Sequence, residues 1–166
     1  MARFTFPVIT LVFLSFSISC DAKKNTNTKN KSLGYFAQTL LDSLTRNDFN
    51  YAMKIIPTEN ELKLLGYNLK KSEYTRFLEK RKRGFKRVHR KFLKKINKLK
   101  SIGIVCKKVE IIEIKKKGEK TRNGIKYYTS LDLFAYCDGK KETKFWFADP
   151  DGIFPGNNGW KLLEFN

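Results

Sequence analysis

Between residues 72 and 101 the apolar positions recur every three or four residues. At 100° per residue Tyr74, Phe77, Leu78, Phe85, Val88, Phe92, Ile96 and Leu99 fall in one stripe about 100° wide, and only Leu93 lies well outside it. The period predicts one long amphipathic helix. The rest of its circumference is almost wholly basic, with 13 Lys+Arg against Glu73 and Glu79. Arg81 and Lys95 intrude on the stripe, where their alkyl stems can pack while the charges reach water. Shorter helices are predicted upstream. Phe36, Leu40, Leu41 and Leu44 give a helix over 33–44. Asn47 or Asp48 caps a second one carrying Phe49, Ala52, Met53, Ile55 and Ile56, and Pro57 ends it. Thr58-Glu59-Asn60-Glu61 reads as a capping box, followed by Leu62, Leu64 and Leu65, with Gly66 as a C-cap.

After residue 101 the period drops to two. The segments 102–117, 125–137, 141–149 and 160–165 read as four strands, separated by GEKTRNG, DG and DPDGIFPGNNG. In the second, Tyr127, Thr129, Leu131, Leu133, Ala135 and Cys137 share a face, and Asp132 is the odd charge on the other. Strands joined by short links make an antiparallel meander, with the stripe of the long helix covering one face. The expected class is therefore α+β, a single domain over 33–166. A turn centred between Thr121 and Arg122 places Cys106 opposite Cys137. In an oxidising compartment the two form a disulfide; the alternative is a pair of free thiols packed as small hydrophobes.

The front of the chain follows neither period. In MARFTFPVITLVFLSFSISC a basic Arg3 precedes a short apolar stretch, and the small residues Ser17 and Ser19 flank Ile18 just before Cys20. That is the layout of a secretory signal over 1–19. Ser17-Ile18-Ser19-Cys20 resembles the lipobox of bacterial lipoproteins, with Ser17 where leucine is most common. The resemblance implies that the Cys20 thiol receives a diacylglyceryl group, that the chain is cut before it, and that the new amino group is acylated. Three acyl chains on one residue make a firm membrane anchor at ~0.8 kcal/mol per buried CH₂. The polar, lysine-bearing segment that follows Cys20 completes a tether over 20–32. This reading places the protein in the cell envelope, held to a membrane by lipid, the outer membrane preferred over the inner.

Composition narrows the function classes. The 166 residues carry 35 Lys+Arg, 16 Asp+Glu and one His, a net charge of +19, with 41% hydrophobic and 14% aromatic residues. That is too apolar for a disordered tail. Three Cys and one His exclude a disulfide scaffold, a zinc finger and a multi-His metal site. No cofactor is expected. The dense cations of the long helix, Lys86, Arg87, Arg90, Lys91 and Lys94 among them, suit an anionic polysaccharide, lipid headgroups or an acidic protein partner. The bland alternative is a solvated helix back. Nucleic acid is not expected beside an exported, lipid-anchored domain. His89 lies at the edge of the stripe among cations, with no nucleophile or carboxylate partner, and reads as a boundary residue. Asp149-Pro150-Asp151-Gly152 has too few acidic ligands for a calcium loop and reads as a turn.

Helices followed by a meander that closes on Gly159-Trp160-Lys161-Leu162 resemble the NTF2-like and cystatin-like α+β folds. In those families a curved sheet wraps a helix and often encloses a pocket. Some members bind small molecules or catalyse proton transfer, but no matching His–Asp pair stands here, so no activity is carried over. The preferred expectation is a non-enzymatic binding or scaffolding module at a membrane. A small-ligand carrier is the alternative, with a pocket lined by Tyr127, Tyr128, Phe134, Tyr136, Phe145, Trp146, Phe147 and Trp160. An enzyme of the same fold ranks last.

Overall fold

In the computed structural model, which describes residues 32–165, each helix starts where a side chain satisfies its first free amides. Helix α1 (Leu33–Arg46) is capped by the Ser32 hydroxyl, which accepts from the Tyr35 amide at 3.0 Å. Asn47 closes it in the left-handed region at φ 52°. Helix α2 (Phe49–Ala52) is capped by Asp48 and runs into a 3₁₀ turn, Met53–Ile55. It stops there because Pro57 forces Ile56 into an extended conformation. The capping box opens α3 (Glu59–Leu64) as the sequence implies: the Glu61 carboxylate accepts from the Thr58 amide at 2.9 Å. Helix α4 (Lys71–Ser101) is the 31-residue basic helix. The signal segment 1–19, Cys20 and nearly all of the tether lie outside the described residues.

The sheet has five antiparallel strands rather than the expected four. Strands β1 (Val109–Arg122) and β2 (Ile125–Cys137) form a long hairpin. Strands β3 (Lys140–Ala148) and β4 (Asp151–Gly156) lie end to end along the other edge of β2. Leu133 to Cys137 faces β3, while Tyr128 and Ser130 face β4. Between the two, Asp149-Pro150 interrupts the strand, although the Leu131 amide still donates to the Pro150 carbonyl at 3.2 Å. Strand β5 (Gly159–Glu164) pairs with β4. The extra strand hides in the stretch read as a turn. Pro150, Gly152, Pro155 and Gly156 mask it in the sequence, yet Ile153 and Phe154 are fully buried.

Two further expectations are corrected. The first strand begins at Val109 and runs to Arg122, not over 102–117, because the hairpin turns at Asn123-Gly124. Both turn residues have positive φ, 48° and 74°, which is the two-residue geometry that matches strand twist. The register shifts with the turn, so Cys137 faces Val109 rather than Cys106. The long helix is also not the main cover of the sheet. Helix α1 packs against β1, β5 and α4, and α4 reaches the sheet at β3. The core joins Phe36, Leu40, Leu41 and Leu44 of α1, Phe85, Val88 and Phe92 of α4, and Leu131, Leu133, Ala135, Phe147, Ile153 and Leu162 of the sheet. At Gly84 the helix touches Phe165: a Cβ there would stand 3.0 Å from the Phe165 Cβ and carbonyl oxygen.

Candidate functional site

Helix α4 is about 46 Å long at 1.5 Å per residue. Its stripe turns inward, from half-buried Tyr74 and Phe77 through buried Phe85, Val88 and Phe92 to half-buried Ile96 and Leu99. Leu93 stays exposed. On the far side Lys86, Arg87, Arg90, Lys91 and Lys94 are all exposed, within an arc of about 140°. Arg87 donates from Nη2 to the Phe165 carbonyl at 3.4 Å. The other four have no ion pair among the described residues. On the whole helix Lys80 makes the one ion pair so described, to Glu164 at 3.5 Å between exposed side chains. The spacing compounds the crowding. Lys82, Lys86, Arg90, Lys94 and Lys98 follow one another every fourth residue, where like charges repel along a helix by about 0.2–0.5 kcal/mol per pair.

Three basic side chains of α4 turn toward the protein. His89 Nδ1 donates to the Leu44 carbonyl at 2.8 Å, and its ring lies against Phe85. It thus gives a second donor to a carbonyl in the last turn of α1 that the Asn47 amide also reaches at 3.3 Å, a structural duty in keeping with a boundary residue. Lys95 donates to the Trp146 carbonyl at 2.6 Å, with Nζ 3.1 Å from the Trp146 ring centroid. Burial pushes its pKa down to about 8, against the pull of Asp149 and with help from Lys91. Arg81 goes furthest. It is 9% exposed, lies 4.1 Å over the Phe77 ring, and its Nε has no hydrogen-bond partner among the described residues. Burial also holds its pKa below the ordinary arginine value, with Glu164 and Tyr67 opposing. Lys95 falls at the edge of the stripe, at the angle of Phe77, whereas Arg81 falls near its middle, at the angle of Leu99, so the spacing itself turns Arg81 toward the apolar side chains.

Elsewhere charges serve the fold. Cys106 and Cys137 are joined in a disulfide with their Cα atoms 5.1 Å apart. The register alone would not bring them together. The chain bends at Lys107, and the Asp138 carboxylate holds the bend by accepting from the Lys107 and Lys108 amides at 3.1 and 2.7 Å. Closing this loop is worth about 3–4 kcal/mol in the chain-entropy view. Glu61 and Lys161 form a buried pair at 3.6 Å, with side chains 2% and 7% exposed. Glu61 also accepts from the Asn157 amide at 3.0 Å, and Lys161 donates to the Lys54 carbonyl at 3.1 Å. Asp149-Pro150 is the break between β3 and β4, and burial raises the Asp149 pKa against Lys91 and Lys95. No cluster of three or more His, Cys, Asp or Glu able to hold a metal ion occurs among the described residues.

A cavity of about 550 Å³ opens between the α3–α4 connection, the first half of α4, and β4 and β5. A second, about 410 Å³, lies between α1, the second half of α4 and the 106–109 segment. The aromatics expected to line a pocket border neither, and of the eight Tyr127 borders a third cavity of only about 40 Å³. Phe147 is in the core, Tyr128 packs on Trp160 at 5.8 Å, and Trp146 holds Lys95. No family model, no curated protein and no solved structure matches the chain.

Proposed function

We propose that this chain is a lipid-anchored protein of the bacterial envelope whose α+β domain, of NTF2-like or cystatin-like kind, is a non-enzymatic binding module. Cys20 carries the anchor. The outer face of α4 takes an anionic partner at the membrane surface, polysaccharide or lipid headgroups. The observation that carries the reading is the exposure of Lys86, Arg90, Lys91 and Lys94 with no ion pair among the described residues, in rows of like charge spaced four apart. Such rows cost helix stability when bare, and a polyanion relieves that cost while releasing its own counterions. A lipid anchor beside a polybasic face is a two-signal arrangement in which each part strengthens the other.

The test is co-sedimentation with vesicles containing anionic lipid, beside retention on a sulfated-polysaccharide resin. Binding is expected at low salt and should fall steeply as the ionic strength approaches about 0.15 M, where exposed charges are screened beyond about 8 Å. Reversal of the five cations (Lys86→Glu, Arg87→Glu, Arg90→Glu, Lys91→Glu, Lys94→Glu) should abolish it. Retention equal to the parent would sink the reading. For the anchor, Cys20→Ala should move the protein from the membrane fraction to the soluble fraction of gently lysed cells. A variant that stays with the membrane refutes lipid attachment there.

A further inference from the structure

The cavity beside α4 has a wall that the polyanion reading leaves unused. Its apolar part is Leu62, Leu69, Phe77 and Leu163, with Tyr67 alongside. Arg76, Lys80 and Arg83 stand exposed at its border, and Glu73, Asp151 and Glu164 also line it. Arg81 differs from the other three cations in being buried, and it makes no hydrogen bond or ion pair among the described residues. A guanidinium presents five N–H donors, and the one on Nε is shut away from water with no acceptor among the described residues, which costs free energy. Buried donors left without a partner are few in folded proteins, and one in the wall of a cavity points to an acceptor that enters it.

We propose that this cavity binds a monocarboxylate with a hydrocarbon body, its carboxylate accepting from Arg81 and its chain lying on Leu62, Leu69, Phe77 and Leu163. The inference goes beyond the basic-face reading and does not depend on it. A carboxylate matches the planar fork of a guanidinium, and the pair gains strength in a site shielded from water. The charge of the wall selects the class. Four cations against three carboxylates leave one positive charge, which suits a monoanion and disfavours a phosphate dianion. The volume lies within the range of small-molecule sites. Gly152 keeps the sheet side open. A Cβ there would meet Leu163 Cβ at 2.8 Å, and the residue has a φ of 65° that side chains seldom adopt.

Isothermal titration with decanoate tests the assignment, with acetate and 1-decanol as separate arms. Decanoate is expected to bind once per chain, and each of the other two at least about tenfold more weakly, because each lacks one half of the recognition. Arg81→Met should weaken decanoate by about tenfold or more, to the level of 1-decanol. Unliganded Arg81→Met should melt at the parent temperature or above it, since an apolar side chain of similar length replaces an unpaired buried charge. The five-fold reversal on the outer face should leave decanoate affinity unchanged. Absence of saturable binding, equal affinity for 1-decanol, or full affinity in Arg81→Met overturns the proposal. A melting temperature more than about 5 °C below the parent in Arg81→Met overturns it too, because Arg81 would then be a strut of the fold. Loss of decanoate binding in the five-fold variant would put the ligand on the outer face and likewise overturn it.

Discussion

Two parts of this molecule are rich in lysine, and they treat the charge in opposite ways. On the β1–β2 hairpin each carboxylate is paired with at least one lysine. Glu113 lies 3.2 Å from Lys115 and 2.7 Å from Lys144, Glu119 lies 2.8 Å from Lys126, and Asp132 holds Lys117 at 2.5 Å. Lys116 stands over the rings of Tyr128 and Trp160. Helix α4 has two carboxylates in 31 residues, and like charges occupy successive turns of one face. A sheet sets unlike side chains opposite each other across strands and neutralises them locally. The helix stacks cations along itself and leaves them for something outside. Net charge alone, +19, distinguishes neither case; the pairing does.

The largest effect should come from moving the reversal from one region to the other. The five-fold reversal on α4 should remove polyanion retention, a loss of several orders of magnitude at low salt, because each neutralised contact contributes to the salt slope. Lys115→Glu, Lys117→Glu and Lys126→Glu on the hairpin should weaken retention far less, their cations being already engaged. Equal losses from both sets would reduce the contrast to bulk charge.

A third kind of charge, paired and buried, predicts the largest change in stability. Lys161→Met leaves the Glu61 carboxylate enclosed without its cation, and Glu61→Gln leaves the reverse. Each should cost about 3–5 kcal/mol, or about 10 °C in Tm, and the double variant should recover part of the loss. Circular dichroism melts of the three variants measure this. Single-variant losses below about 1 kcal/mol would place the pair with the surface ones.

How much of this was legible beforehand depends on whether the deciding contact was local. The stripe of α4 and the capping box at Thr58 and Glu61 follow from neighbours within a few turns, and both were visible as spacing. The span of β2 was likewise visible, its alternation being uninterrupted. Strand β4 was not, since the glycines and prolines that flank Ile153 and Phe154 are also what a turn looks like. A turn centred on Thr121-Arg122 misplaces the hairpin register, because Asn123-Gly124 is the pair that tolerates two positive φ values. Of the candidate site, the five cations of α4 were readable from helical angle alone. The cavity was not, because Leu62, Phe77 and Leu163 come from three elements far apart in the chain, and the isolation of Arg81 depends on what fails to reach it.

Lys95 links the two charge regimes, lying on α4 but held by a sheet residue. Its native pKa of about 8 is below the 10.5 of an unperturbed lysine. Between those values the unfolded chain holds a proton that the native state has released, so unfolding takes one up and stability rises with pH. Below about pH 8 the charge is carried in both states and the burial cost is present in full. Lys95 is only partly buried, so solvent screening keeps the gain small, about 1–3 °C in Tm between pH 7 and pH 9.5. Lys95→Met should remove that rise. A Tm that climbs equally in the variant would assign the pH dependence to other groups.

The finest test is salt itself, read region by region. Raising the ionic strength from about 0.01 M to about 0.3 M shortens the screening length several-fold. On α4 this weakens repulsion between Lys82, Lys86, Arg90, Lys94 and Lys98, so amide protons along that face should exchange more slowly. On the hairpin it weakens attraction at Glu113 and Glu119, both in exposed pairs, so exchange there should quicken or stay level. Each change should amount to a few tenths of a kcal/mol, which hydrogen exchange resolves where melting does not. The opposite sign in the two regions is the informative outcome, because a uniform salt effect on the fold would move both together. Protection that falls on α4 as salt rises would mean its cations already have partners, and the helix would no longer be distinguished from the hairpin by unmet charge.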